Sequence, residues 1–101
     1  MNCVELQRIP ETFKKHGFVY NLIKREKNIA LYKQCNKDGS LSSYEVHKVR
    51  FKKSGSRKLP DGQVLEYPDM EILAGDEDFG MYGWAFMKLE NAEKRYAQLL
   101  C

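Results

Sequence analysis

Between Phe18 and Phe51 the chain reads as three extended runs separated by two short polar breaks, and that spacing leaves few architectures open. FVYNLIK (18–24) and IALYKQC (29–35) are rich in aromatic and branched side chains. The four residues Arg25-Glu26-Lys27-Asn28 between them suit a hairpin loop. By the two-residue period of a strand, Phe18, Tyr20 and Leu22 share one face, and Ile29 and Leu31 share a face of the partner. Asn36-Lys37-Asp38-Gly39-Ser40 carries the Asp-Gly signature of a tight turn. In the third run, residues 41–53, the apolar positions switch from Tyr44 and Val46 to Val49 and Phe51, which predicts a bulge or a change of layer midway. Three strands joined by short loops make an antiparallel meander.

The flanks complete the expected fold. Pro10 suits a first helical position, Glu11 the positive end of a helix and Gly17 its exit, so residues 9–17 predict a short helical turn pinned by Phe13. The first eight residues are expected to be loosely held. Residues 54–80 hold Ser54-Gly55-Ser56 and Pro60-Asp61-Gly62, and Pro68 precludes a central strand, so a long loop with a short edge strand near 63–67 is expected. Gly83-Trp84-Ala85-Phe86 is strand-like. After it, Leu89, Ala92, Tyr96 and Leu99 recur on one face of a helix over residues 88–100 that lacks a strong N-cap. The fold class is therefore α+β: a three- or four-stranded antiparallel meander, a C-terminal helix on one face and a short N-terminal helical turn. Tyr82, Trp84, Phe86, Leu89 and Tyr96 are the expected structural anchors. Anchoring is favoured over a binding platform for the first three, and Trp84→Ala is then expected to cost about 3–5 kcal/mol.

At 101 residues there is room for one domain and little spare core for a deep cleft. No apolar run approaches the length of a membrane span, and no basic stretch followed by an apolar one opens the chain as a secretory signal would. Cys3, Cys35 and Cys101 are an odd set without metal-ligand spacing, which points to reduced thiols in a cytosolic setting.

Taken in order, GFVYNLIKREKNIALYKQ, SYEVHKVR and FGMYGWAFMKLENAEKRYAQLL resemble a family of small uncharacterised proteins of tailed bacteriophages and prophages. In that family a Gly-aromatic strand and an "ALY" strand precede a "YEV" strand, and an "FG…GW" segment runs into an "LE.AE" helix. The resemblance covers residues 13–100 and departs from the family at Met87, where a Thr or Ser usually precedes the helix. It implies a phage or mobile-element origin, hence the host cytoplasm or the virion as location, and it brings no catalytic residues.

No residue set suggests an enzyme, and no cofactor is expected. His16 adjoins Gly17 at the end of the expected helical turn, where the helix dipole favours an imidazolium. His47 lies in a strand, next but one to Glu45 and without Cys or Asp at ligand spacing. Asp76-Glu77-Asp78 lacks the layout of a calcium loop and reads as a solvated acidic loop or a partner contact. Charge is segregated: residues 47–58 carry Lys48, Arg50, Lys52, Lys53, Arg57 and Lys58 with no acid, and residues 59–80 carry acids with no base. The two stretches either pair with each other or present a footprint to a partner. Two functions follow. The first is a non-catalytic module that binds a host or phage protein. The second is a nucleic-acid-binding module using the basic segment, with Tyr44 or Phe51 to stack on bases. The mild net charge of +3 weighs against the second.

Overall fold

The computed structural model describes residues 7–100, and nine strands and one α-helix order them. These are β1 (Thr12–Lys15), β2 (Phe18–Glu26), β3 (Ile29–Cys35), β4 (Leu41–Lys48), β5 (Arg50–Lys52), β6 (Gly55–Lys58), β7 (Val64–Tyr67), β8 (Met70–Ile72), β9 (Gly83–Phe86) and α1 (Leu89–Leu100). Five strands form one sheet in the order β1-β2-β3-β4-β9, with every neighbouring pair antiparallel. The α+β class and the meander are thus as expected, with more strands than the three or four predicted.

Residues 9–17 form no helical turn. Thr12–Lys15 is a strand whose alternate residues Phe13 and Lys15 are half-buried, and it pairs with β2. Pro10 and Glu11 precede it. His16 and Gly17 both take positive φ (53° and 82°), values that a two-residue hairpin turn requires and a right-handed helix forbids. The next connection is also tighter than the four residues expected: β2 continues to Glu26, leaving Lys27-Asn28 as the turn, with Lys27 at φ 55°. The loosely held start expected for residues 1–8 lies outside the described residues except at Gln7 and Arg8. Gln7 is tied to β8, its N–H donating to Asp69 O and its carbonyl accepting from Glu71 N, both at 2.8 Å.

Both faces of the sheet are covered, which explains the parity switch in the third run. One face carries Ile29, Leu31 and Val46, which pack with Ala92 and Tyr96 of α1; Tyr44, Phe86, Leu99 and Leu100 border that cluster. The other carries Tyr20, Ala30 and Tyr32, joined by Ile9 and Val49. Phe13 stacks on Tyr20 with ring centroids 4.6 Å apart. The Tyr32 hydroxyl donates to Pro10 O at 2.6 Å, and burial pushes its pKa up to about 12. Val49 therefore marks the other face rather than a bulge. The strand stops at Lys48, and the chain passes to a second sheet. Phe51, expected to point inward, is 61% exposed.

A bulge does occur in β2, where register shifts between Leu22 and Lys24. The extra residue, Ile23, restores Arg25 to the face carrying Leu22 and turns Lys24 to the helix side. There the Lys24 ammonium lies 4.8 Å from the Tyr96 ring centroid and 3.7 Å from Glu93.

The long loop expected over residues 54–80 is largely structured. β5 pairs with β8 and β6 with β7, and both ladders keep one register: Lys52↔Met70 is followed by Gly55↔Tyr67. Residues 50–72 thus form one β-arm, broken where Pro68 has no N–H to give and where Ser54 N–H turns to the Asp69 carboxylate at 2.7 Å. Its tip is a three-residue loop, Pro60-Asp61-Gly62, closed by Gly62 N–H on Leu59 O, with Gly62 at φ 89° as such a loop demands. The arm makes the molecule long: principal extents are 46 × 34 × 26 Å, and the radius of gyration is 15.6 Å against about 13 Å for a compact chain of this size.

Candidate functional site

Every residue of β6 is exposed, as are the first three of β7, so the outer half of the arm has no core beneath it. Cross-strand pairing sets its two faces. Arg57 and Leu65 lie opposite each other on one, with Tyr67 across Gly55; Lys58 and Val64 oppose each other on the second, with Ser56 and Glu66. Val64 is 61% and Leu65 50% exposed. Gly55 leaves room for the Tyr67 ring: a Cβ there would lie 2.9 Å from the Tyr67 hydroxyl oxygen, so that side chain would have to shift. Lys52 also uses Tyr67, its ammonium 4.5 Å from the ring centroid.

The base of the arm is fastened by charge. Arg25, delivered by the β2 bulge, makes two bonds of 2.6 Å to the two oxygens of Glu71, and Ile9 N–H adds a third at 3.2 Å. The guanidinium holds the Glu71 carboxyl below its ordinary range. Arg50 stacks its guanidinium 4.3 Å from the Tyr82 ring centroid and reaches Asp78 at 2.7 Å. Asp78, which also accepts from Gly75 N–H at 3.0 Å, is held below the usual aspartate range, first by that N–H and then by Arg50.

The predicted basic set is consequently divided. Arg50 is spent inside the fold on Asp78 and Tyr82, Lys48 ends β4, and Lys52, Lys53, Arg57 and Lys58 line the arm. The acidic loop is a single 3₁₀ turn, Asp76–Asp78, in which Asp76 meets Lys15 at 3.3 Å and His16 at 3.5 Å. Basic and acidic stretches thus pair in part.

Among the expected anchors, Tyr96 is buried in the helix–sheet cluster and Phe86 borders it. Trp84 is half-buried, opposite Val46 in the ladder and 5.3 Å from the Arg95 guanidinium. Tyr82 anchors Arg50 instead of the helix, because it precedes β9 and faces the base of the arm. Leu89 is 38% exposed at the first turn of α1 and does not join the helix–sheet cluster. Cys35 is a buried free thiol; Cys3 and Cys101 lie outside the described residues.

A polar chain crosses the sheet face opposite α1, and sequence spacing showed only its Glu45–His47 step. Ser43 donates to Gln34 Oε1 and Gln34 Nε2 donates to the Tyr20 hydroxyl, each at 2.6 Å. Burial pushes the Tyr20 hydroxyl up, and the Glu45 carboxylate pushes it further. Glu45 and His47, both buried, are joined at 2.9 Å between Oε1 and Nε2. Ala74 N–H donates to His47 Nδ1 at 3.2 Å. With Nδ1 accepting, the ring proton sits on Nε2, so the imidazole is neutral and donates to Glu45. The pair sits at a cavity of about 210 Å³ lined by Phe13, Lys15, Tyr20, Leu73, Asp76 and Phe79, among others.

The fold is an α+β domain: a doubly covered antiparallel sheet that carries a projecting β-arm. Compared with protein-family models, with curated proteins and with solved structures, the chain finds no match. No helix among the described residues is long and apolar enough to cross a membrane.

Proposed function

We propose that this chain is a non-catalytic protein-interaction module of phage or mobile-element origin, acting in the host cytoplasm or in the virion, and that the β-arm is its contact. The observation that carries this reading is the outer arm itself. A two-stranded ribbon is marginal alone in water, and this one exposes Val64 and Leu65 beside Lys58 and Arg57. Both of its edges are unpaired among the described residues, so main-chain groups are free to extend a partner's sheet. Apolar residues flanked by cations fit a protein surface with an apolar centre and an acidic rim. The phage origin rests on the sequence resemblance alone.

Charge favours a protein over a nucleic acid. Lys52, Lys53, Arg57 and Lys58 share the arm with Asp61, Glu66 and Asp69, so phosphate neutralisation has little net charge behind it. The test is a photo-crosslinking side chain placed at Leu65, with the same group at Gln98 on α1 as control. A discrete protein adduct from host lysate at position 65 and none at 98 is expected, together with no salt-sensitive binding of a fluorescent DNA duplex or single strand. Equal labelling at the two positions overturns the arm as the contact. Steeply salt-dependent DNA binding replaces it with the nucleic-acid reading.

A further inference from the structure

The cavity beside Glu45 is independent of the arm and has a chemistry of its own. Glu45 is 9% exposed, and His47 meets its Oε1 at 2.9 Å. The Tyr20 hydroxyl, raised by burial and then by this carboxylate through both charge and hydrogen bonding, is its other neighbour, so both partners are neutral donors. Ala74 N–H on Nδ1 leaves Nε2 to donate to Glu45, so His47 brings this carboxyl a hydrogen bond and not a counter-cation. A carboxylate this deep, lining a cavity and offered only neutral donors by the protein, favours a cation in that cavity. Lys15, which lines the same cavity, places its ammonium on Asp76 at 3.3 Å, and among the described residues no ion pair joins it to Glu45. The walls are aromatic. Phe13 and Tyr20 stack on each other, and Phe79 and His47 meet edge to face at 5.8 Å. Aromatic faces around a buried carboxylate are the surroundings that attract an ammonium and exclude an anion.

We propose that this pocket binds a primary alkylammonium group, with Glu45 Oε2 and the Tyr20 hydroxyl oxygen accepting its N–H bonds and Phe79 closing over its carbon chain. About 210 Å³ admits a chain of a few carbons and no folded partner. The head group is common to a free aliphatic amine and to a lysine side chain. Lys15, paired at the rim, acts as the competing cation.

The test uses the full chain, labelled with ¹⁵N and titrated with n-butylammonium chloride against sodium chloride at equal ionic strength and against neutral n-butanol. Saturable amide shifts at Tyr20, Glu45, His47 and Phe79 are expected with the ammonium alone. Glu45→Gln keeps the shape and the acceptor for His47 but removes the charge, and should weaken binding by about tenfold or more. Lys15→Gln should leave binding intact or tighten it. Phe79→Ala, at a partly exposed wall, should weaken it severalfold and serves as a second variant if Glu45→Gln perturbs the fold. Shifts no larger than those with sodium chloride, or equal affinity in Glu45→Gln and the parent, overturn the proposal. Nα-acetyl-lysine methylamide separates the sources: binding equal to butylammonium assigns a lysine side chain, and binding of butylammonium alone assigns a free amine. Leu65→Glu on the arm should not alter any of these titrations, so the pocket and the arm stand or fall separately.

Discussion

Glu71→Gln removes one charge from the pair that fastens the arm to the sheet. In the parent, Glu71 accepts two bonds of 2.6 Å from Arg25 and one of 3.2 Å from Ile9 N–H, with side chains only 11% (Glu71) and 23% (Arg25) exposed. The amide retains one acceptor but turns an NH₂ toward the guanidinium, leaving a largely buried cation half-paired. Fully buried pairs broken on one side lose about 3–5 kcal/mol and surface pairs about 0–1 kcal/mol. This pair lies between, nearer the buried limit, so a loss of about 2–3 kcal/mol is expected. For a domain of this size that lowers Tm by roughly 8–20 °C. The pH dependence has a definite sign. The Arg25 guanidinium depresses the Glu71 carboxyl from its ordinary 4.5, so the stabilisation is present above that value and is lost as pH falls through the lower folded value. Thermal unfolding of both proteins at pH 7 and at successive steps below pH 4.5 should show the gap between them closing. A gap of under 2 °C at pH 7, or one that persists unchanged into acid, would refute the reasoning. Replacing both partners by apolar residues should recover most of the loss.

Two further substitutions probe packing. Gly83→Ala would place a methyl 2.7 Å from the Ala74 Cβ and 3.2 Å from the Phe79 ring, pressing the covering segment away from His47. About 1–3 kcal/mol of stability should be lost in denaturant titrations, and a loss below about 0.5 kcal/mol would mean that the segment yields freely. Trp84→Ala should cost about 1–2 kcal/mol rather than the 3–5 expected of a core aromatic, because the ring is half-buried under Arg95. A measured loss above about 3 kcal/mol would put it back among the core residues.

The meander and helix were legible because their signals are local. Ile29 and Leu31 mark one buried face, and Ala92, Tyr96 and Leu99 repeat at helical spacing. Residues 9–17 misled because Pro10, Glu11 and Gly17 are as good at flanking a hairpin as at bounding a helix, and the left-handed φ of His16 has no signature beyond the glycine after it. The edge strand near 63–67 matches β7, whereas β6 and β8 read as loop because the outer arm buries almost nothing and lacks apolar alternation. Pro60-Asp61-Gly62 announced its tip, but the constant register on either side is a tertiary fact. The pocket was least visible. Glu45 and His47 are close in sequence, whereas Ala74, Phe79 and Phe13, which give the pair its tautomer and walls, arrive from distant segments.

The common register of the two arm ladders also bears on how the molecule reaches this state. β4 ends at Lys48 and its last neighbour, β9, begins at Gly83, so closing the sheet requires a long excursion of the chain. An arm that zips from the Pro60-Asp61-Gly62 turn brings Arg50 beside Ile72 before β9 docks. That shortens the remaining loop about threefold and lowers its closure cost by about 1 kcal/mol. Substitutions that destabilise the turn should therefore slow folding while leaving the unfolding rate little changed, the kinetic mark of structure formed before the barrier.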